Sequence, residues 1–113
     1  MLKENKNLKE ALEKYIYLME KREYFDAHEV LEEAWHYLRK SKDPLSNLAK
    51  GLINGAIAFE HIKRDRKNSL KNAHKVIKSF DRYIYLYNSN IREPELFKIA
   101  IEIVKIKREK FKI

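Results

Sequence analysis

Residues 25–36, with the sequence FDAHEVLEEAWH, place two imidazoles, four carboxylates and one indole within about three turns of a predicted helix. His28, Glu32 and His36 follow one another at steps of four residues, so they climb one side of that helix where its apolar face meets solvent. Imidazole and carboxylate groups at this spacing can ligate one divalent ion such as Zn, Fe, Mn or Ni. The pattern therefore predicts a metal site built from these three residues.

A bound metal ion would give this stretch a chemistry, because such an ion can activate water for hydrolysis. Glu29 lies beside the predicted ligands, and His61 lies on the next amphipathic segment, where it could face them as a general base or a further ligand. We therefore predict Glu29 and His61 as the catalytic residues of a metal-dependent hydrolase. The predicted binding residues are Trp35 and Asn54, the latter seven residues before His61 on the same side of its helix.

Known metal motifs match this stretch only in part, which leaves a structural interpretation open. The zinc-protease pattern has its second histidine four residues after the first, where this chain has Glu32. Di-iron bundles carry Glu-x-x-His on two helices, and only Glu33 and His36 have that spacing here. In the structural interpretation His28 hydrogen-bonds Glu32 or a neighbouring backbone group, Trp35 packs in the core, and the other acids form a solvated face.

The charge of the chain is distributed unevenly. Its formal net charge is +8, yet residues 1–44 hold nine Lys and Arg against ten Asp and Glu, whereas residues 45–113 hold sixteen against seven. Cations at spacings of three and four residues follow the predicted fourth helix; they are Lys67, Lys71, Lys75, Lys78 and Arg82. The excess of cations in residues 45–113, and the basic face of residues 63–82 within it, predict an anionic partner, either a nucleic acid or an acidic protein. The alternative is a merely solvated surface.

Several classes of function lack the residues that they need. The chain has no cysteine, which excludes disulfides, thiolate zinc sites and cysteine nucleophiles and is typical of an intracellular protein. GLING at 51–55 lies within a helical pattern and lacks the lysine and serine of a phosphate loop. No run approaches the ~20 apolar residues of a membrane span, and the N-terminal segment lacks the apolar core of a secretory signal. We therefore expect a cytoplasmic protein with no membrane partner.

Apolar spacing and helix punctuation predict the fold class. Predicted helices cover residues of about 5–22, 25–41, 44–64, 68–88 and 94–110. We expect Asn5 or Asn7 to cap the first helix, and Asp43 to cap the third with Pro44 in its first turn. The length of 113 residues fits one domain. The prediction is an all-α protein, a single compact bundle of about five helices over residues 1–113.

Two features of these helices predict contacts beyond ordinary packing. Gly51 and Gly55 lie inside the third helix, where each costs up to about 1 kcal/mol relative to alanine, so they predict close approach of another backbone to a central helix. The last helix, opened by Pro94, is apolar around more than half of its circumference, which predicts a homodimer interface through residues 94–106. Its IAIEIVKIK also alternates as a strand would, but the length of the run and the opening proline favour a helix.

Two segments of the sequence resemble a small all-helical bacterial and archaeal family known as domain of unknown function 309. They are YFDAHEVLEEAW and KGLINGAIAFEHIKRD. The resemblance covers roughly residues 20–80. The positions that match in type and spacing are Phe25, Ala27, His28, Glu29, Glu32, Trp35, Gly51, Leu52 and Ile53. The resemblance implies a compact helical bundle and a metal-dependent hydrolase activity.

The chain departs from that family pattern at two places. It has NSLKNAHK where the family has Gly-Ala near the start of the next helix, and His36 lies outside the shared motif. The first segment is also similar to a tetratricopeptide-type helix pair, in which a small residue packs beneath a large one. That similarity implies the alternative of a protein-binding or scaffold module without catalysis.

Overall fold

The fold consists of five α-helices and one short 3-10 turn, described by a computed structural model over residues 3–113. In chain order the elements are α1 (Leu8–Glu20), α2 (Tyr24–Lys40), α3 (Ser46–Arg64), α4 (Ser69–Tyr83), the 3-10 turn Ile84–Leu86 and α5 (Pro94–Phe111). Those residues include no strand, and the Cα radius of gyration of 13.2 Å is that of a compact chain. The predicted all-α bundle is confirmed. That residues 1–113 form one domain stays a prediction.

Local hydrogen bonds account for where the helices begin and end. The side chain of Asn7 accepts a hydrogen bond from the Glu10 amide at 3.0 Å and so caps α1. The predicted start of α3 is wrong by two residues, because the Asp43 carboxylate accepts from the Leu45 amide at 2.9 Å and closes a turn at Pro44 ahead of the helix. The predicted end of α4 is also wrong, since the chain tightens into the 3-10 turn five residues earlier.

Four of the helices end at residues whose backbone is left-handed, and none of these residues is glycine. Arg22, Lys42, Asp65 and Lys112 have φ values of 61°, 56°, 49° and 59°. The amide of each donates to a carbonyl in the last turn of the helix before it. The left-handed conformation costs a residue with a side chain on the order of 1 kcal/mol.

The central helix of the bundle is α3, which packs against α2 and α4 and also contacts α5, whereas α1 packs against α2 and α5. Its buried residues are Leu48, Ala49, Gly51, Leu52, Ile53, Gly55, Ala56, Ala58 and Phe59. Tyr15 of α1 donates from its buried hydroxyl to the Leu52 carbonyl at 2.7 Å. Burial raises the pKa of Tyr15, so the phenol stays neutral and keeps its proton for this hydrogen bond.

Both glycines of α3 lie where a neighbouring helix comes close. A Cβ atom placed on Gly51 would lie 3.2 Å from the Phe80 Cα atom and 3.4 Å from the Ser79 carbonyl oxygen. A Cβ atom on Gly55 would lie 3.1 Å and 3.2 Å from the two methyl groups of Val104. The predicted approach of another backbone thus occurs at Gly51, where α4 crosses, whereas Gly55 accommodates a side chain of α5.

The last helix, α5, keeps an apolar outer side. Pro94 lies at its first turn and the helix runs for 18 residues, so the strand alternative is wrong. Its buried residues are Phe97, Ala100, Ile101, Ile103 and Val104. Ile99 and Ile106, seven residues apart, are 46% and 65% exposed. The homodimer through residues 94–106 stays a prediction. Within residues 3–113, neither α5 nor any other helix combines the length and the apolar character that crossing a membrane requires.

An ion pair joins α5 to α4. The guanidinium of Arg108 donates to both carboxylate oxygens of Asp81, with 2.8 Å between Nη2 and Oδ2. This hydrogen bonding lowers the pKa of Asp81 below its ordinary value and raises the pKa of Arg108. The carboxylate is half exposed, so water screens the pair and limits its contribution to stability.

We expect Gly51→Ala to destabilise the fold by about 1–3 kcal/mol, because the new Cβ meets backbone atoms that can move only if α3 and α4 separate. The gain in helix propensity, up to about 1 kcal/mol, is smaller than this cost. Asn47→Ala, at an exposed position of the same helix, is the control and should change stability by less than about 0.5 kcal/mol. Chemical denaturation followed by circular dichroism measures both values. Equal stability of the Gly51→Ala variant and the parent chain would contradict the close approach.

We expect Asp81→Asn to lower the free energy of unfolding at pH 7 by less than about 1 kcal/mol. Because the pKa of Asp81 is lower in the folded state, its stabilisation is present above the unfolded value of about 3.9 and is lost as the pH falls through the folded pKa. The variant and the parent chain should therefore converge in stability in strong acid. Urea titrations at pH 7 and near pH 2 test this, with Glu109→Gln, at an exposed position of α5, as the control. A difference that persists at the lower pH would argue against the ion pair.

Candidate functional site

The row of His28, Glu32 and His36 forms along one side of α2. Nδ1 of His28 lies 2.8 Å from the Phe25 carbonyl oxygen, to which it donates when it carries the proton. The Nε2 atom of the same ring lies 3.8 Å from Glu32 Oε2, and Nε2 of His36 lies 3.7 Å from Glu32 Oε1. The two imidazole side chains are 17% and 15% exposed, so the row lies at the boundary between the core and solvent.

The contacts in this row are two separate His–Glu pairs. His28 and His36 are eight residues apart, about 12 Å along the helix axis, and each imidazole faces a different oxygen of Glu32. Across residues 3–113, no three His, Asp or Glu side chains come together in an arrangement that could hold a metal ion. The structure brings the three residues together only as two pairs. Their role as metal ligands stays a prediction.

Two clefts adjoin the row, and the predicted site residues divide between them. An acidic cleft of about 520 Å³ brings together Glu29, Glu32 and His36; its other lining residues are Lys3, Phe25, Asp26 and Glu33. A smaller cleft of about 230 Å³ between α2 and α3 brings His28 together with His61; its other lining residues are Phe25, Ile57, Glu60 and Arg64. Phe25 lines both clefts, whereas each of the histidines and glutamates predicted as site residues lines only one of them.

Phe25, Glu60 and Arg64 shape the smaller cleft, although sequence patterns did not single them out as site residues. The ring of Phe25 is 5.1 Å from the His28 ring between centroids, and the Arg64 guanidinium lies 5.9 Å from the Phe25 ring. Arg64 Nε lies 3.6 Å from Glu60 Oε2, one helical turn earlier. The ion pair of Glu60 and Arg64 could have been predicted from the sequence, because residues four apart lie side by side on a helix. Asn54 is not among the residues that line either cleft.

Trp35 contacts cations rather than an open cavity. Lys50 Nζ of α3 lies 4.4 Å from the centroid of the indole, and the Arg39 guanidinium of α2 lies 5.3 Å from it. The indole is partly buried against the core, and the His36 ring is 5.0 Å away. Cation–π attraction at these distances ties α2 to α3. The contacts account for Trp35 as a packing residue, and its predicted binding role stays a prediction.

The helices that carry this row match a known family. The model described as Domain of unknown function (DUF309) matches residues 12–73, more than half of the chain. The chain belongs to the DUF309 family. The match starts within α1 and ends within α4, so it includes all of α2 and α3 and the resemblance in the two sequence segments is confirmed. No curated protein and no solved structure is significantly similar to the chain.

Most of α4 lies beyond the end of the DUF309 match. This helix carries four cations that we call the basic face: Lys71, Lys75, Lys78 and Arg82. At about 100° per residue the four positions fall within an arc of about 60°. All four side chains are exposed, on the most amphipathic helix of the bundle. None of them lies within 4.0 Å of a carboxylate oxygen in the part of the chain that the structure describes.

The one carboxylate near the basic face of this DUF309 chain is directed elsewhere. Asp81 is the only acidic residue between positions 66 and 92 of the sequence, and its carboxylate is held by Arg108 of α5. Among the described residues, the Arg82 guanidinium lies 6.0 Å from the centroid of the Tyr83 ring, and the three lysines have no aromatic ring at such a distance. Lys67, predicted to extend the stripe, lies in the turn before α4 rather than on the helix.

Proposed function

We propose that this DUF309 chain is a non-catalytic binding module whose basic face docks on the phosphates of a nucleic acid. The observation that carries the proposal is the row of four exposed cations with no carboxylate beside them in the described residues. Exposed cations without a neighbouring carboxylate attract phosphates at a distance. On contact they release the counterions that are condensed on the nucleic acid, and this release favours binding. Catalysis is not needed for this function.

The dimensions of the basic face suit a nucleic-acid strand. From Lys71 to Arg82 the helix rises about 16 Å. A duplex presents one phosphate of each strand per about 3.4 Å of its axis, so a row of this length can reach several phosphates. Lysine stems are long and rotatable, so each ammonium can adjust to the nearest phosphate. The helix beneath them is fixed by its close approach to α3 at Gly51 and by the ion pair of Asp81, so the four charges are presented together.

Neutralising the basic face should weaken binding to nucleic acid at least tenfold. In the triple variant Lys71→Gln, Lys75→Gln, Lys78→Gln, each lost contact also removes about 0.7–0.9 from the slope of log affinity against log salt concentration, so the slope should fall by about 2–3. The measurement is fluorescence anisotropy of a labelled 12-nucleotide oligonucleotide over a series of salt concentrations.

The matched control for this prediction changes net charge by the same amount on other helices. Lys9→Gln, Lys98→Gln, Lys110→Gln removes three exposed lysines of α1 and α5. We expect this variant to bind within about twofold of the parent chain. Equal losses in both triple variants, or binding that does not respond to salt, would show that the basic face is not a docking surface. Tight binding to an acidic peptide alone would assign the face to a protein partner.

A second candidate function, a metal-dependent hydrolase, is supported by the hydrogen bond of His28. Its Nδ1 atom pairs with the Phe25 carbonyl oxygen, which leaves Nε2 directed toward Glu32, and metal-bound histidines in proteins are oriented by a second-shell bond of this kind. His61 shares the smaller cleft with His28 and could supply a further group. A divalent ion held between His28 and Glu32 would activate water, and Glu29, which lines the same acidic cleft as Glu32, could accept the proton of that water.

If the metal function holds, His28→Ala and Glu32→Gln should each weaken Zn²⁺ or Mn²⁺ binding by at least about tenfold, because each removes one of two adjacent ligands. Isothermal titration calorimetry of the untagged chain measures the affinity, and circular dichroism checks that the fold is kept. His74→Ala, which removes an exposed imidazole of α4, is the control and should leave affinity unchanged. Equal binding by all four proteins would place the metal elsewhere and leave α2 a packing element.

A further inference from the structure

The most exposed large hydrophobic side chain of the described residues lies next to the basic face. Tyr85 is 75% exposed and belongs to the 3-10 turn Ile84–Leu86 that follows α4 directly. Its neighbours Ile84 and Leu86 are partly buried against the core. The backbone at this point is therefore anchored while the ring of Tyr85 projects into solvent.

The ring of Tyr85 continues the basic face in space. It comes seven residues after Lys78 and three after Arg82, and an advance of 100° to 120° per residue brings it back to the side of Lys78. The last acidic side chain before it, Asp81, is held by Arg108. An aromatic ring and a row of cations thus share one side of the molecule.

A second exposed tyrosine shows what is particular about Tyr85. Tyr17 of α1 is 60% exposed, but Lys21 Nζ lies 5.6 Å from its ring centroid, and Glu13 lies in the same shallow depression. No cation of residues 3–113 lies over the ring of Tyr85 at such a distance. The face of Tyr85 is open to a ligand, whereas that of Tyr17 is occupied by its own helix.

We infer that the occupant of this surface is single-stranded nucleic acid, with its phosphates on the basic face and one base stacked on Tyr85. The inference rests on the nucleic-acid function proposed above and narrows it. In a duplex the faces of the bases are already stacked on each other, so only a single strand can offer a base to an exposed ring. Stacking accepts any base, so the inferred binding needs no contact with base edges.

The test uses the full chain with three ligands: a labelled 12-nucleotide oligouridine, a 12-base-pair duplex, which carries about twice as many phosphates, and linear polyphosphate with the same number of phosphates as the oligouridine. Tyr85→Ala should weaken oligouridine binding about tenfold, because base–aromatic stacking is lost, and should leave the salt slope unchanged, because no phosphate contact is lost. The same variant should bind polyphosphate as the parent chain does. Tyr85→Trp should bind oligouridine at least as well as the parent chain, and Tyr17→Ala is the matched control with no expected change.

The outcomes separate this inference from the function on which it rests. If the basic-face variant loses binding but Tyr85→Ala binds oligouridine as the parent chain does, the docking function stands and the single-strand inference is overturned. Polyphosphate bound as tightly as oligouridine, or duplex binding that falls as far in Tyr85→Ala as oligouridine binding does, also overturns it. If none of the three ligands binds in a salt-dependent way, both proposals fail. Circular dichroism of each variant ensures that a loss of binding is not a loss of fold.

Discussion

The contact between Gly51 and the backbone of α4 is the constraint on which the outer surface depends. With no side chain at this position, α4 lies close against the central helix and can bury Ala73, Ile77 and Phe80 there. The α4 helix is strongly amphipathic, so once its apolar side is buried its rotation is fixed and the opposite side faces water. The orientation of the basic face is thus a consequence of packing inside the molecule, although every residue of that face is on the surface.

The family motif and the basic face lie on different neighbours of the same central helix. Like α4, the helix α2 that carries the motif packs against α3. Within the motif, His28 pairs with a carbonyl of α2 and Trp35 contacts Lys50 of α3. The DUF309 match ends at residue 73, so three of the four cations of the basic face lie beyond it. A role for the motif in helix packing and a role for the basic face in binding are therefore compatible, and the second need not be general to the family.

The sequence predicted the fold well because the signals involved are local. Helix periodicity, the Asn7 cap, the proline that opens α5 and the glycines of α3 each act within a few residues or mark a position that must be small. The errors arose where a local hydrogen bond outweighs a residue preference, as at Asp43, which closes a turn before α3.

The candidate site was less predictable, because clefts depend on the register between helices. Spacing along α2 correctly placed His28, Glu32 and His36 on one side of the helix. It could not indicate that Glu29 and His61 would line different clefts, since that requires knowing which turn of α3 faces which turn of α2. Likewise the row of cations on α4 could be predicted from the sequence, but the exposure of the Tyr85 ring could not.

The left-handed helix ends have a consequence for how this chain can change. Both glycines lie inside α3, and the helix ends use residues such as Arg22 and Lys42 in a conformation that glycine adopts without strain. Each such end is a place where one substitution can add stability without touching the core, the clefts or the basic face. A lineage that acquires such substitutions would tolerate more destabilising replacements elsewhere, including replacements on the basic face.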